Sequence, residues 1–310
     1  MFIRCAGANW WVPHFSTFVS DNISSLEKLH SNELGSTDTN DDVLDGEAKD
    51  VDNDAVNGPT VLAHVELART VRKYNCISPP KLLGFDLKNS VADCQLPIAD
   101  LATKINQPNL IEHVRQFLYD QLYSDSNLPS SHISLNACPT FLGKVSVFLS
   151  AVATYYAPSD PSGIGGMHHE HIRATSSWWQ GPARYDCAFV NSHPELEGMR
   201  GLHVVCVLLF FSFLFRGITY PCAFVHWFSI IDEECDKDTG MWMVQPAVTE
   251  DGLPDVSVIH FDCIFRAAHL LPIYGDTQIP DNVSHYNSLD AFVGYYVNKY
   301  ADHHAFEIAF

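Results

Sequence analysis

The 310-residue sequence predicts an α+β fold, a helical segment followed by a small, strand-rich barrel of the SH3 or BAH kind and closed by a C-terminal helix. Three observations predict it. A long acidic stretch near the N-terminus has no aromatic residue. An amphipathic helical pattern follows it. Beyond Pro129, short alternating apolar runs are punctuated by tight turns, as in small barrels.

Residues 1–59 are read as a disordered acidic tail. Residues 1–60 hold three Lys/Arg and eleven Asp/Glu, a contribution of −8 to the net charge of −19. The stretch 31–58, SNELGSTDTNDDVLDGEAKDVDNDAVNG, offers too little apolar surface to offset the entropy of ordering it. DVDNDAVNG sets carboxylates at alternate positions like a calcium loop. An EF-hand starting at Asp50 would need glycine and glutamate where Ala55 and Val61 stand, so a solvated linker is the better reading.

Residues 60–128 are assigned as helical. TVLAHVELARTVRKY spaces Val61, Val65, Ala68 and Val71 as on a helix, and a second helix is expected near Ile98 to Ile105. QPNLIEHVRQFLYDQLY is the clearest: Pro108 precedes a stripe of Leu110, Val114, Phe117, Leu118 and Leu122, which reads as a packing face.

Residues 129–275 form the predicted barrel. KVSVFLSAVATYYAP alternates as a strand with a bend. LHVVCVLLFFSFLF, 14 residues, is too short for a membrane helix and is apolar on both alternating faces, as in a central strand buried on both sides. It runs through Arg216-Gly217 into ITYPCAFVHWFSII, a hairpin. MWMVQP and VSVIHFDCIFRAAHLLPIYG supply the remaining strands. In residues 276–310, Leu289, Phe292, Val293, Tyr296, Val297 and Tyr300 recur at helical spacing, with Ser288 as N-cap, predicting a helix packed on the barrel.

Composition excludes several function classes. An excess of 37 acidic over 18 basic residues disfavours unaided nucleic-acid binding, so DNA contact is expected to be weak if present. Nine cysteines include no CxxC pair; they suit free thiols of a reducing compartment, not a zinc ribbon or disulfide framework. With neither signal peptide nor membrane segment, the expected location is the nucleus or cytoplasm. No GxSxG occurs, and GIGG lacks the context of a phosphate loop.

Two histidine clusters invite a metal. In GGMHHEHIRATSSWW, His169 and His171 would share one side of a strand but diverge on a helix. In ADHHAFE, His303 and Glu307 stand four apart on a helix face. HHEH does not match HExxH, and its third ligand would have to come from elsewhere, with His193 and Cys187 the nearest candidates; His303 and Glu307 read as well as an ordinary polar helix face, so no cofactor is assigned. A metal-dependent hydrolase on these residues is the least favoured function.

Several segments taken together, APSDPSGIGGM, IRATSSWWQGPARYDCAFV, PELEGMRGLHVV, LLFFSFLFRGITYPCAFVHWFS, DKDTGMWMVQP, VIHFDCIFRAAHLLPIYG and SLDAFVGYYVNKYADHHAFEIAF, resemble the C-terminal region of Plavaka-type DDE transposases. This is a CACTA-like group abundant in basidiomycete fungi, near the Kyakuja–Dileera–Zisupton group. The likeness runs from about Gly58 to Phe310 and leaves out MFIRCAGANWWVPHF. It implies that an RNase-H-like catalytic domain and a zinc-finger region belong N-terminal to these segments, so no catalytic acid is carried over and the chain is expected not to be an enzyme. It further implies arginine-accepting positions at His168 and His169, and guanidinium is no metal ligand. The expected function is a non-catalytic accessory region that contacts the transposase catalytic region, another protein or nucleic acid, with Arg173, Trp178, Trp179 and Arg184 as candidate contacts. The alternatives are a peptide- or chromatin-binding barrel with Trp227 and Trp242 as a cation cage, and a decayed transposon fragment without function.

Overall fold

A computed structural model describes residues 63–67, 95–123, 128–157, 160, 166–178, 181–275, 278–279, 281–284 and 287–310. The acidic tail lies outside the described residues, as does Trp179.

The spine is one long hairpin. Strand β8 (Leu202–Phe215) turns through Arg216 and Gly217, at φ 50° and 81°, into β9 (Ile218–Ile230). Positive φ at both central residues is what a two-residue hairpin turn of matching twist requires. Each strand is long enough to carry two shorter partners end to end on its outer side. β8 takes β7 (Cys187–Asn191) along Leu202–Cys206 and β3 (Lys144–Phe148) along Phe210–Phe213. β9 takes β11 (Val256–His260) along Cys222–His226 and β10 (Met243–Pro246) along Phe228–Ile230. Outside these, β2 (Gln95–Pro97) joins β3 and β12 (Ile264–Ala268) joins β7. β14 (Tyr295–Val297) joins β10 and, on its other side, β13 (Leu270–Pro272). The ten strands make a curled antiparallel half-barrel. A second, four-stranded sheet has the order β1 (Ala63–Leu67), β4 (Ser150–Tyr156), β5 (Met167–Thr175), β6 (Arg184–Tyr185).

A bulge between Val207 and Leu209 decides which way β8 faces. Before it, Val205 and Val207 enter a core shared with the four-stranded sheet, while Leu202 and Val204 enter another. After it the parity inverts: Phe210 joins the shared core, while Leu209, Phe211 and Phe213 pack against helices. An extra residue shifts every later side chain to the opposite face and adds twist. The run is thus buried on both faces, as its composition predicts.

Helices α1 (Ile98–Lys104) and α2 (Leu110–Leu122) cover the far half of the hairpin. The stripe of Leu110, Val114, Phe117 and Leu118 is buried, and Leu122 at its end is half-buried. Arg115 ties α2 to the next loop by donating to the carbonyls of Leu135, Cys138 and Pro139. Asp120 accepts from the amide and hydroxyl of Ser130 at 2.9 and 2.6 Å. The predicted bend in KVSVFLSAVATYYAP falls at Leu149, between β3 and β4.

Two predicted helices come out differently. Residues 63–67 form β1, and residues 68–74 lie outside the described residues. Val65 and Leu67, two apart, both pack on the shared core, so the edge of β4 offers them the burial that a helical stripe would have sought. The C-terminal stretch is no continuous helix: α3 (Ser288–Ala291), β14 and α4 (His303–Ile308) divide it, and Asn287, not Ser288, takes the N-cap position. At Gly294 a Cβ would stand 3.1 Å from Ile231 Cδ1, and Tyr295 and Val297 then alternate into the third core. An available ladder between β10 and β13 overrides a helical spacing. The predicted barrel boundaries at 129 and 275 are crossed as well, because β1, β2 and β14 all join the sheets.

Candidate functional site

The two histidine clusters converge, and the cation between them is a guanidinium. Arg266, on β12, is only 4% exposed. It donates to both oxygens of Asp302 at 2.8 and 2.7 Å, and to both oxygens of Glu170 at 3.3 and 3.2 Å. Glu170 comes from HHEH on β5 and Asp302 from ADHH at the start of α4. Glu170 also accepts from the Ala267 amide at 2.6 Å, and Asp302 caps α4 by accepting from the Ala305 amide at 2.7 Å. The guanidinium lies 4.3 Å over the ring of Tyr155, which stacks on His304 at 4.6 Å. His304 Nδ1 is 3.2 Å from Arg266.

The electrostatics follow from who holds the shorter fork. Burial pushes Asp302 up, but its Arg266 hydrogen bonds and the Ala305 amide outweigh that and hold its carboxyl at about 2. Glu170 has the longer fork, so burial prevails over Arg266 and its pKa is raised. Burial, with the Glu170 charge, pushes the Tyr155 hydroxyl up to about 12. Burial first and the Arg266 charge second lower His304 to about 4, which keeps it neutral near pH 7. Arg266 itself is raised: burial opposes its charge, and Asp302 and Glu170 more than offset that.

The candidate metal ligands are therefore spread apart. His169 and His171 share one exposed side of β5, as a strand requires, and His169 Nδ1 bonds Thr154 Oγ1 at 2.8 Å. His168 faces Asp160 at 3.7 Å. His303 is exposed at the start of α4 and Glu307 half-buried one turn on. Among the described residues no group of three or more His, Cys, Asp or Glu is placed to hold a metal ion.

Of the candidate contact residues, the three that are described, Arg173, Trp178 and Arg184, come together. Arg173 on β5 lies 4.5 Å over the Trp178 ring and Arg184 on β6 lies 5.5 Å over it. Asp186 holds both arginines: one oxygen accepts from Arg184 Nε at 2.7 Å, and the other accepts from the Arg173 amide at 2.9 Å and stands 3.8 Å from its guanidinium. The β5–β6 pairing, Thr175 opposite Arg184, dictates this grouping. Beside it opens a cleft of about 410 Å³, lined by Trp178, Arg184, Asp186, Cys187, His269 and Leu289 among others.

Trp227 and Trp242 do not form a common cage. Trp242 is buried in the third core, whereas Trp227 packs on the shared core and donates from Nε1 to Ser257 at 2.7 Å. Sequence reasoning missed Arg266 because a single arginine in an apolar run carries no periodic signal; the signal available was that IFRAA places a charge on a strand whose neighbours are apolar.

No protein-family model matches the chain, and no curated protein and no solved structure matches it. Among the described residues no helix is long and apolar enough to cross a membrane.

Proposed function

We propose that this chain is a non-catalytic accessory region of a transposon-derived transposase, and that it meets a protein partner through the Trp178 platform. The half-barrel is read here as an open relative of the SH3 and BAH barrels. The observation that carries the proposal is the tryptophan ring flanked by Arg173 and Arg184 beside a cleft. Tryptophan and arginine are the side chains that most often anchor interfaces. Two guanidiniums against one carboxylate leave a local excess of positive charge in a chain of net charge −19. Such a patch fits a carboxylate-bearing protein segment better than DNA, whose phosphates the surrounding field repels. The transposase catalytic region is the partner that the resemblance suggests.

Calorimetric titration of the full chain with that catalytic region tests the reading. Trp178→Ala, and Arg173→Ala with Arg184→Ala, should each weaken binding tenfold or more, as expected of anchor residues. Binding unaffected by either variant refutes the platform. Tight binding to duplex DNA that persists from 50 to 200 mM salt, set against the steep salt dependence of phosphate contacts, refutes the choice of a protein partner.

A further inference from the structure

We infer that Cys187 and Cys206 form a thiol–disulfide pair, a site of reversible oxidation by peroxide-class oxidants. The two residues are direct cross-strand partners on β7 and β8. The neighbouring pair is Asp186 with Val207, whose amide donates to the Asp186 carbonyl at 3.1 Å. In an antiparallel ladder bonded and non-bonded pairs alternate, so Cys187 and Cys206 occupy a non-bonded pair. There the Cα atoms stand roughly 4.5 Å apart, inside the range of about 4.4–6.8 Å that a disulfide spans. The Cys206 thiol donates to the Tyr185 carbonyl at 3.9 Å. Both are free thiols in this structure.

Their environments differ in a way that orders the chemistry. Cys187 is buried, with its thiol raised by the neighbouring Cys206 and by burial, while Cys206 is half-buried. Cys206 is therefore the sulfur that a small oxidant meets first, since thiolate and access govern reactivity. Its thiolate attacks one oxygen of hydrogen peroxide, the O–O bond breaks, and the products are the sulfenic acid and hydroxide. The Cys187 sulfur then attacks the Cys206 sulfur. The S–O bond breaks as the S–S bond forms, and the departing hydroxide takes up the Cys187 proton as water. In sum two thiols and one peroxide give one disulfide and two waters. Each sulfur is oxidised by one electron and the peroxide is reduced by two. The bond would fasten the start of β7, next to Asp186, where Cys187 lines the cleft. A pair of this kind fits a reducing compartment, where disulfides are transient and redox-sensing and not part of a framework.

The test treats the full native chain with hydrogen peroxide, blocks remaining thiols with N-ethylmaleimide, and maps all nine cysteines by proteolysis and mass spectrometry without reduction. The expected product links the Cys187 and Cys206 peptides, 2 Da lighter than the two thiols, and dithiothreitol restores both thiols. A Cys206→Ala chain should leave Cys187 as a thiol under the same treatment. Cys187 and Cys206 still alkylatable after unfolding the treated wild-type chain would overturn the inference. So would Cys206 carried to sulfinic acid with Cys187 still a thiol, because that shows that the second sulfur does not reach it.

Discussion

Replacing Arg266 by methionine removes the one cation that the two carboxylates share. The guanidinium gives four hydrogen bonds, at 2.7 to 3.3 Å, to Asp302 and Glu170. Breaking a buried ion pair by deleting one partner costs about 3–5 kcal/mol, because the charge left behind has lost its solvation. Here the orphaned side chains retain 37% and 22% exposure, so water recovers part of that loss and the low end applies, about 3 kcal/mol. For a domain of this size each kcal/mol moves the midpoint by about 2–4 °C, which predicts a fall of about 6–12 °C in a calorimetric melt at pH 7. Arg266→Lys keeps a charge but cannot form two forks, so it should fall between wild type and Arg266→Met. Combining Arg266→Met with Glu170→Gln should recover at least about 1 kcal/mol relative to the sum of the single changes, as groups in one network couple. A melt of Arg266→Met within about 2 °C of wild type, or strictly additive effects, would show that the guanidinium does not clamp β12, β5 and α4 together.

The same network makes stability depend on acid. His304 takes up its proton near pH 4 when folded but near the ordinary histidine value of 6.5 when unfolded, so between those values the unfolded chain binds more protons and stability falls as pH falls. Asp302, held at about 2 against the ordinary aspartate value of 3.8, extends the loss through that lower range, while Glu170, raised, opposes it near its own titration. His304→Gln should flatten the pH dependence of the melting midpoint between pH 6.5 and 4, leaving the shares of His113, His203 and His260, which burial also lowers; an unchanged slope counts against the assignment. Gly201→Ala places a Cβ against the carbonyl of Leu196 and 2.7 Å from that of His193, and should cost about 2 kcal/mol by denaturant titration; a neutral change would mean that the loop yields freely. Leu118→Ala, at a fully buried position under the hairpin, should cost about 2–5 kcal/mol, and less than 1 kcal/mol would deny the helix its packing role.

Much of the fold was legible where one local pattern had one solution. The stripe on QPNLIEHVRQFLYDQL, the Arg216-Gly217 turn and the doubly apolar β8 each carry their signal within a few residues, and each formed as read. Patterns with two solutions were settled by what lay nearby in space. Residues 63–67 and 295–297 were free to follow a helical or an extended spacing, and unpaired edges at β4 and between β10 and β13 took them into sheets. The bulge after Val207 left no trace in an unbroken apolar run, yet it decides which core each half of β8 feeds.

The candidate site divides the same way. Arg173, Trp178 and Arg184 lie within a dozen residues, so their nearness was readable, although the carboxylate of Asp186 that fixes them was not. GGMHHEHIRATSSWW and ADHHAFE already held the acids, histidines and aromatics of the network. That Glu170 and Asp302 close on Arg266, across 96 and 36 residues, came from folding. A buried charge must find its opposite wherever the folded chain brings one within reach.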